Sequence, residues 1–262
     1  MQTDSIKNAL ENLGPSYIFA DLDNSLMFGD KSTGEITAEA LHTICKDTKG
    51  KPASFVNDKQ LRFLRCILAM GELVPTTARS TRSFNLVDLN HRGYAIVSHG
   101  SIILTPDGTP EPRWLQRTQA LAEPERENFN RILKSLKKHG DSLGIEANGR
   151  IVSDYELPIF LKASVPKQSG VNLSALLNRL EEELPLPGWR FSDHEYYIEI
   201  VPPYSRKELA VQWFLDEIAD KNRSFTVAIG DMLTDLAFAG LCDYLLTPSN
   251  SQIVWTLFDR KS

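Results

Sequence analysis

Two short apolar runs that stop at acidic clusters constrain this chain more than anything else in it. Tyr17-Ile18-Phe19-Ala20 runs into Asp21-Leu22-Asp23, and Phe225 to Ile229 runs into Gly230-Asp231. An apolar run of this length, bounded by polar residues, reads as a strand buried on both faces. Such strands belong to parallel sheets covered by helices. The rhythm recurs in Leu73-Val74, which ends at Thr76-Thr77-Ala78-Arg79, and in Tyr94 to Val97, which ends at Ser98-His99-Gly100. Tyr244-Leu245-Leu246 reads as a last strand. Helices are expected between them. Residues 57–69 have apolar residues at helical spacing, with Asn57 or Asp58 as the cap and Gly71 as the stop. A helix is expected after Arg79 to about Asp88, with Thr77 able to cap it. A long one covers 205–220, one runs through Leu236, and 249–258 close the chain. Residues 3–13 read as a short amphipathic helix. Residues 29–56 are polar and mixed, long for a simple connection, with a helical stretch near 37–47.

The middle of the chain breaks this alternation. Residues 106–112 (PDGTPEP) read as a linker. A charged amphipathic helix over 123–138 follows, then two β-like runs within 150–164 split by Pro158. A helix over 172–183 and strands over 189–201 complete the block. The fold expected is a doubly wound parallel α/β core formed by residues 1–107 and 193–262, with a smaller α+β cap, residues 108–192, inserted in it.

Composition narrows the function classes. The 262 residues include 29 Lys+Arg and 34 Asp+Glu, a formal net charge of −5, with 42% hydrophobic and 24% charged residues. These are globular proportions that exclude disorder and collagen. The mild acidity argues against nucleic-acid binding, but it does not exclude an anionic small molecule at a local site. No apolar run approaches the roughly 18 residues needed to span a bilayer. The opening MQTDSIKNAL lacks a basic patch followed by an apolar stretch, so no signal peptide and no membrane partner are expected. Cys45, Cys66 and Cys242 are an odd count without CxxC spacing. They read as reduced thiols in a cytoplasmic protein. Trp114, Trp189, Trp213 and Trp255 read as packing residues, and Lys162 either faces solvent from the cap sheet or reaches toward a substrate.

The polar clusters carry the chemistry. Ligands of open α/β sheets bind at the carboxyl ends of strands. Convergence there would gather Asp21, Asp23, Asp231 and Asp235 with the Thr77 hydroxyl and the Lys207 ammonium. Four carboxylates repel one another without a cation, and hard oxygen ligands select Mg²⁺ over zinc. Magnesium, Lys207, Thr77 and backbone N–H groups after Asp21, that of Leu22 among them, suit a phosphoryl group. An aspartate so placed can attack phosphorus and form an aspartyl-phosphate. Residues i and i+2 of a strand share a face, so Asp23 can protonate the leaving alcohol beside Asp21 and then activate water. Each residue has a plain reading when taken alone. Asp21 and Asp23 could be a strand-end turn, Lys207 a solvated helix lysine and Asp231 a helix cap. The conjunction carries the argument.

The motifs resemble those of the haloacid dehalogenase superfamily of phosphohydrolases, in the Cof-type and sucrose-phosphatase-like branches with a C2-type cap. DLDNS (21–25) is similar to the first motif, TTARS (76–80) to the second, SRKEL (205–209) to the third and GDMLTD (230–235) to the fourth. LTPSNS (246–251), which includes Asn250, resembles the segment after it. The resemblance implies Asp21 as nucleophile and Asp23 as general acid/base, with Leu22, Ser25, Thr77 and Lys207 holding the phosphoryl group. It implies Asp21, Asp23 (through its carbonyl), Asp231 and Asp235 as the magnesium site. Thr234 stands where relatives often have Asn, and His99 where many have Asn before Gly. These two, with Arg79 and Asn250, are candidates for contact with substrate or with the catalytic side chains.

The expected activity is magnesium-dependent hydrolysis of a small phosphorylated metabolite, a phosphate monoester and by resemblance a sugar phosphate. A phosphosugar mutase on the same fold, or a non-catalytic phosphoacceptor or binding protein, are the alternatives.

Overall fold

The computed structural model describes residues 13–29, 41–89, 91–165, 173–194, 196–220 and 222–259. The helix expected over 3–13 lies almost wholly outside them. The chain forms two compact units, one of Met1–Trp114 with Lys207–Ser262 and one of Leu115–Arg206.

The first unit opens with β1 (Ser16–Ala20). A small antiparallel sheet follows, made of β2 (Phe28–Gly29), β3 (Leu41–Lys46) and β4 (Pro52–Asn57) in the order β2-β4-β3. Then come α1 (Asp58–Met70), β5 (Glu72–Pro75), the short α2 (Thr81–Phe84), and the hairpin β6 (Ala95–Val97) and β7 (Ile102–Leu104). Asn57 caps α1, accepting from the Gln60 N–H, while the Gln60 side chain accepts from the Asn57 N–H.

The second unit holds most of α3 (Pro112–Ala122), then α4 (Arg126–Leu143), β8 (Asn148–Asp154), β9 (Leu157–Ser164), α5 (Leu173–Glu183), β10 (Arg190–His194) and β11 (Tyr197–Val201). Its antiparallel sheet has the order β10-β11-β9-β8. Ile159, Leu161, Ala163, Ile198 and Ile200 are buried in alternation, on the face that α4 and α5 cover. On the opposite face the Lys162 ammonium lies 3.8 Å from the centre of the Tyr197 ring.

The chain returns to the first unit with α6 (Lys207–Glu217), β12 (Phe225–Ile229), α7 (Leu236–Ala239), β13 (Tyr244–Leu246) and α8 (Gln252–Leu257). The central sheet runs β13-β12-β1-β5, all parallel. Alternation sends Tyr17 and Phe19 of β1 toward α6, where each meets Phe214 edge-on at 5.3 and 5.4 Å. Ile18 and Ala20 point the other way, toward the face where α1 packs with its buried Ile67. Helices therefore cover both faces of the sheet. Trp114 and Trp213 pack at 5.5 Å, and the Trp114 indole N–H donates to the Gly100 carbonyl. The three cysteines are free thiols. Among the described residues no helix is long and apolar enough to cross a membrane.

Several expectations need correction. The insert runs over 115–206 rather than 108–192, because β10 pairs with β11 and β11 with β9, while β7 pairs back on β6. Residues 41–46, expected within a helix near 37–47, are strand β3; residues 37–40 lie outside the description. The cause is turn chemistry. The Asp47 carboxylate accepts from the N–H groups of Lys49 and Lys51, and Gly50 takes a φ of 79°, so β3 folds back onto β4. Helix α2 stops at Phe84, and its cap is Ser80 rather than Thr77.

Candidate active site

The site gathers where β1, β5 and β12 end. The sheet continues past β1 by one rung, because the Asp21 N–H donates to the Ile229 carbonyl at 2.8 Å. On the other side the Thr76 N–H donates to the Ala20 carbonyl at 2.7 Å, so Thr77 stands at the same sheet edge as Asp21. Beyond Asp21 the chain turns tightly. The Leu22 carbonyl accepts from both Leu26 and Met27, and Asn24 takes a left-handed φ of 65°. The buried Leu22 side chain anchors this turn, and the Ser25 hydroxyl donates to Asp231 Oδ1 at 3.1 Å.

Opposite, Gly230 leads into Asp231. A side chain at Gly230 would meet the Asp235 Cβ at 2.5 Å, so only glycine lets Asp235 fold back onto the loop. Asp235 Oδ2 then accepts from the N–H groups of Asp231 and Met232 at 3.2 and 3.1 Å. Lys207 begins α6, and its ammonium donates to Asp21 Oδ1 at 2.6 Å and to Asp235 Oδ1 at 2.8 Å. The carboxylates of Asp21, Asp231 and Asp235 each bring an oxygen within 4.8 Å of the others, and all three are buried.

The electrostatics follow from that crowding. Burial pushes the Asp21 carboxyl up to about 7; Lys207 opposes the rise, while Asp235 and Asp231 reinforce it. Burial and the Asp235 charge push Asp231 up to about 6, against the Ser25 hydrogen bond. Burial disfavours the Lys207 charge, but Asp21 and Asp235 outweigh it and raise its pKa. Three buried carboxylates against one buried ammonium leave an excess of negative charge. The all-oxygen donor set fits a hard divalent cation such as Mg²⁺.

Asp23 does not join this group. Its carboxylate pairs with Arg79, Oδ2 accepting from Nε at 2.7 Å and Oδ1 from Nη2 at 2.6 Å. The Thr77 hydroxyl accepts from the Arg79 N–H at 3.2 Å, and the Thr77 carbonyl accepts from the His99 N–H. Ser98, His99 and Gly100 all have positive φ (55°, 54° and 90°), a strained turn pinned to the backbone of Thr77 and Arg79. Thr234 is exposed beside Asp235. Asn250 stands apart, accepting from the Trp255 indole, while the Ile253 N–H ties the start of α8 to the Asp231 carbonyl.

Sequence reasoning missed two neighbours of Arg79. Its Nη2 donates to the Ser54 hydroxyl at 3.1 Å and its Nη1 to the Cys45 sulfur at 3.5 Å. Both come from the β3–β4 hairpin, inside the segment whose length was the only signal.

No family model matches the chain, and no curated protein matches its sequence. Solved structures do match. The sucrose-phosphatase of Synechocystis sp. PCC6803, solved with sucrose and phosphate, is 16% identical with a TM-score of 0.57, over 95% of this chain and 90% of that one. The trehalose-6-phosphate phosphatase of Aspergillus fumigatus is 13% identical with a TM-score of 0.51, over 95% and 89%. The C-terminal domain of the C. albicans trehalose-6-phosphate phosphatase is 12% identical with a TM-score of 0.54, over 91% and 77%. At these identities the likeness is one of fold alone.

Proposed function

We propose that the protein is a magnesium-dependent phosphatase of small phosphate monoesters, sugar phosphates foremost. One observation carries the reading. Three buried carboxylates surround one buried lysine at the strand ends, two residues from a carboxylate free of that cluster. The solved structures of like fold include a sucrose-phosphatase and trehalose-6-phosphate phosphatases, which favours a sugar phosphate here.

The carboxylates of Asp21, Asp231 and Asp235 and the main-chain carbonyl of Asp23 would hold Mg²⁺. Bound there, the ion neutralises their repulsion and draws charge from the phosphoryl oxygens. Lys207 fixes Asp21 Oδ1, so Oδ2 is the oxygen that attacks phosphorus. The bond from phosphorus to the alcohol oxygen breaks as Asp23 delivers a proton to it. Asp23 then takes a proton from water, which attacks the aspartyl-phosphate and returns Asp21 and inorganic phosphate. Thr77, Ser25, Lys207 and the N–H of Leu22 bind the phosphoryl oxygens. The working compartment is the cytoplasm, where the free thiols stay reduced.

The test is phosphate release from a panel of hexose phosphates, disaccharide phosphates, nucleotides and p-nitrophenyl phosphate, with magnesium and with excess chelator. Magnesium-dependent release concentrated on one sugar phosphate is expected. No release from any member overturns the reading, and isomerisation without release identifies a mutase.

A further inference from the structure

The Arg79 guanidinium is held from two sides. Toward Asp23 it makes a two-pronged pair, 2.7 and 2.6 Å, with a carboxylate whose side chain is 45% exposed on a tight loop. Away from it, its remaining donors reach Ser54 Oγ and Cys45 Sγ. Ser54 and Cys45 are a directly opposed cross-strand pair of the β3–β4 hairpin, and the ladder is irregular on both sides of Cys45. Irregularities of this kind re-aim side chains. Both residues are buried, at 2% and 4% exposure. The hairpin is also stitched to the segment after α2, through a bridge between Cys45 and Val87 and through the Asp88 N–H donating to the Ile44 carbonyl.

The chemistry of the two buttresses is informative. A hydroxyl oxygen and a thiol sulfur accept from a guanidinium without bringing a charge of their own. They orient Arg79 while leaving Asp23 as its sole paired carboxylate among the hydrogen bonds it makes. A freely rotating arginine would give a half-exposed aspartate little fixed direction.

Resting on the phosphatase reading above, we propose that the β3–β4 hairpin positions the proton donor of the reaction. Ser54 and Cys45 fix Arg79, and Arg79 fixes Asp23 for delivery of the proton to the leaving alcohol. Ser54 and Cys45 are positioning residues that touch no reacting atom.

A merely structural role would lower activity on every substrate alike. A role in aiming the proton donor depends on the leaving group: an alkoxide must be protonated as it departs, whereas p-nitrophenolate leaves without help. The measurement is kcat/KM, which covers steps only through departure of the alcohol, for an alkyl phosphate and for p-nitrophenyl phosphate. Ser54→Ala and Cys45→Ala should each lower the alkyl value by about 10-fold or more, a part of the roughly 10²–10⁴-fold that proton transfer contributes. The aryl value should change less than about 3-fold on the same reasoning. Ser54→Thr, which keeps the hydroxyl, should restore most of the alkyl value. Equal losses on both substrates, or an unchanged alkyl value, overturn the proposal. If Ser54→Ala does not fold, Cys45→Ala carries the same comparison, with the loss again confined to the alkyl substrate. A wild-type protein that releases phosphate from neither substrate overturns the phosphatase reading itself, and the positioning role with it.

Discussion

Asp21 is buried beside two other carboxylates, and among the described residues Lys207 is the cation that offsets them. Asp21→Asn should lower turnover beyond the roughly 10²–10⁴-fold that proton transfer is worth, because the amide is a poor nucleophile. Melting of the metal-free variant should not fall below that of wild type, since a neutral group sits where burial penalises the charge. Asp231 gives the pH dependence. Its folded pKa, about 6, lies above the ordinary 3.8. The fold therefore takes up protons, and the stability from this group is full below the ordinary value and lost as pH rises through 6. Without divalent ions, Asp231→Asn should gain on wild type by about 1–2 kcal/mol between pH 5 and pH 8, read by denaturant titration. Gly230→Ala tests the close approach of Asp235; the 2.5 Å overlap should destabilise the protein by about 1–3 kcal/mol. At this scale the sequence was informative about identity but not direction. Asp21, Asp231, Asp235 and Lys207 converge as their motifs imply, whereas Asp23 turns to Arg79, a pairing that no spacing encodes.

Elements were legible wherever one face or both faces are buried. β1 and β12 are predominantly apolar because helices cover both faces of their sheet, and Asn57 announces α1 through its cap. Asn57→Ala should cost about 1 kcal/mol of stability, since the side-chain oxygen that accepts from the Gln60 N–H is lost. The β3–β4 hairpin was misread because LHTICK has no clean period. Its register is decided by the Asp47–Lys51 turn, five residues whose meaning is local backbone chemistry.

The whole molecule consists of two units, each with its own core, and calorimetry should resolve two unfolding transitions. Magnesium should raise only the transition of the unit formed by Met1–Trp114 and Lys207–Ser262, which holds the carboxylates. The rise should be larger at pH 8 than at pH 5, where protons compete for the same oxygens. The existence of an insert was legible in the loss of the strand–helix rhythm. Its edges were not, because sheet membership of residues 190–201 is set by the pairing of β10 with β11 and of β11 with β9 rather than by composition.

The interruption of the first unit also fixes an order of assembly on the ribosome. Asp21, Asp23, Thr77 and Arg79 are synthesised before the inserted unit, and Lys207, Asp231 and Asp235 after it. Until β12 emerges, β1 has β5 on one side and an open edge on the other, and Asp21 lacks the neighbouring carboxylates of Asp231 and Asp235. A chain that stops short of β12 would, on the proposed mechanism, carry the attacking aspartate without the carboxylates of Asp231 and Asp235.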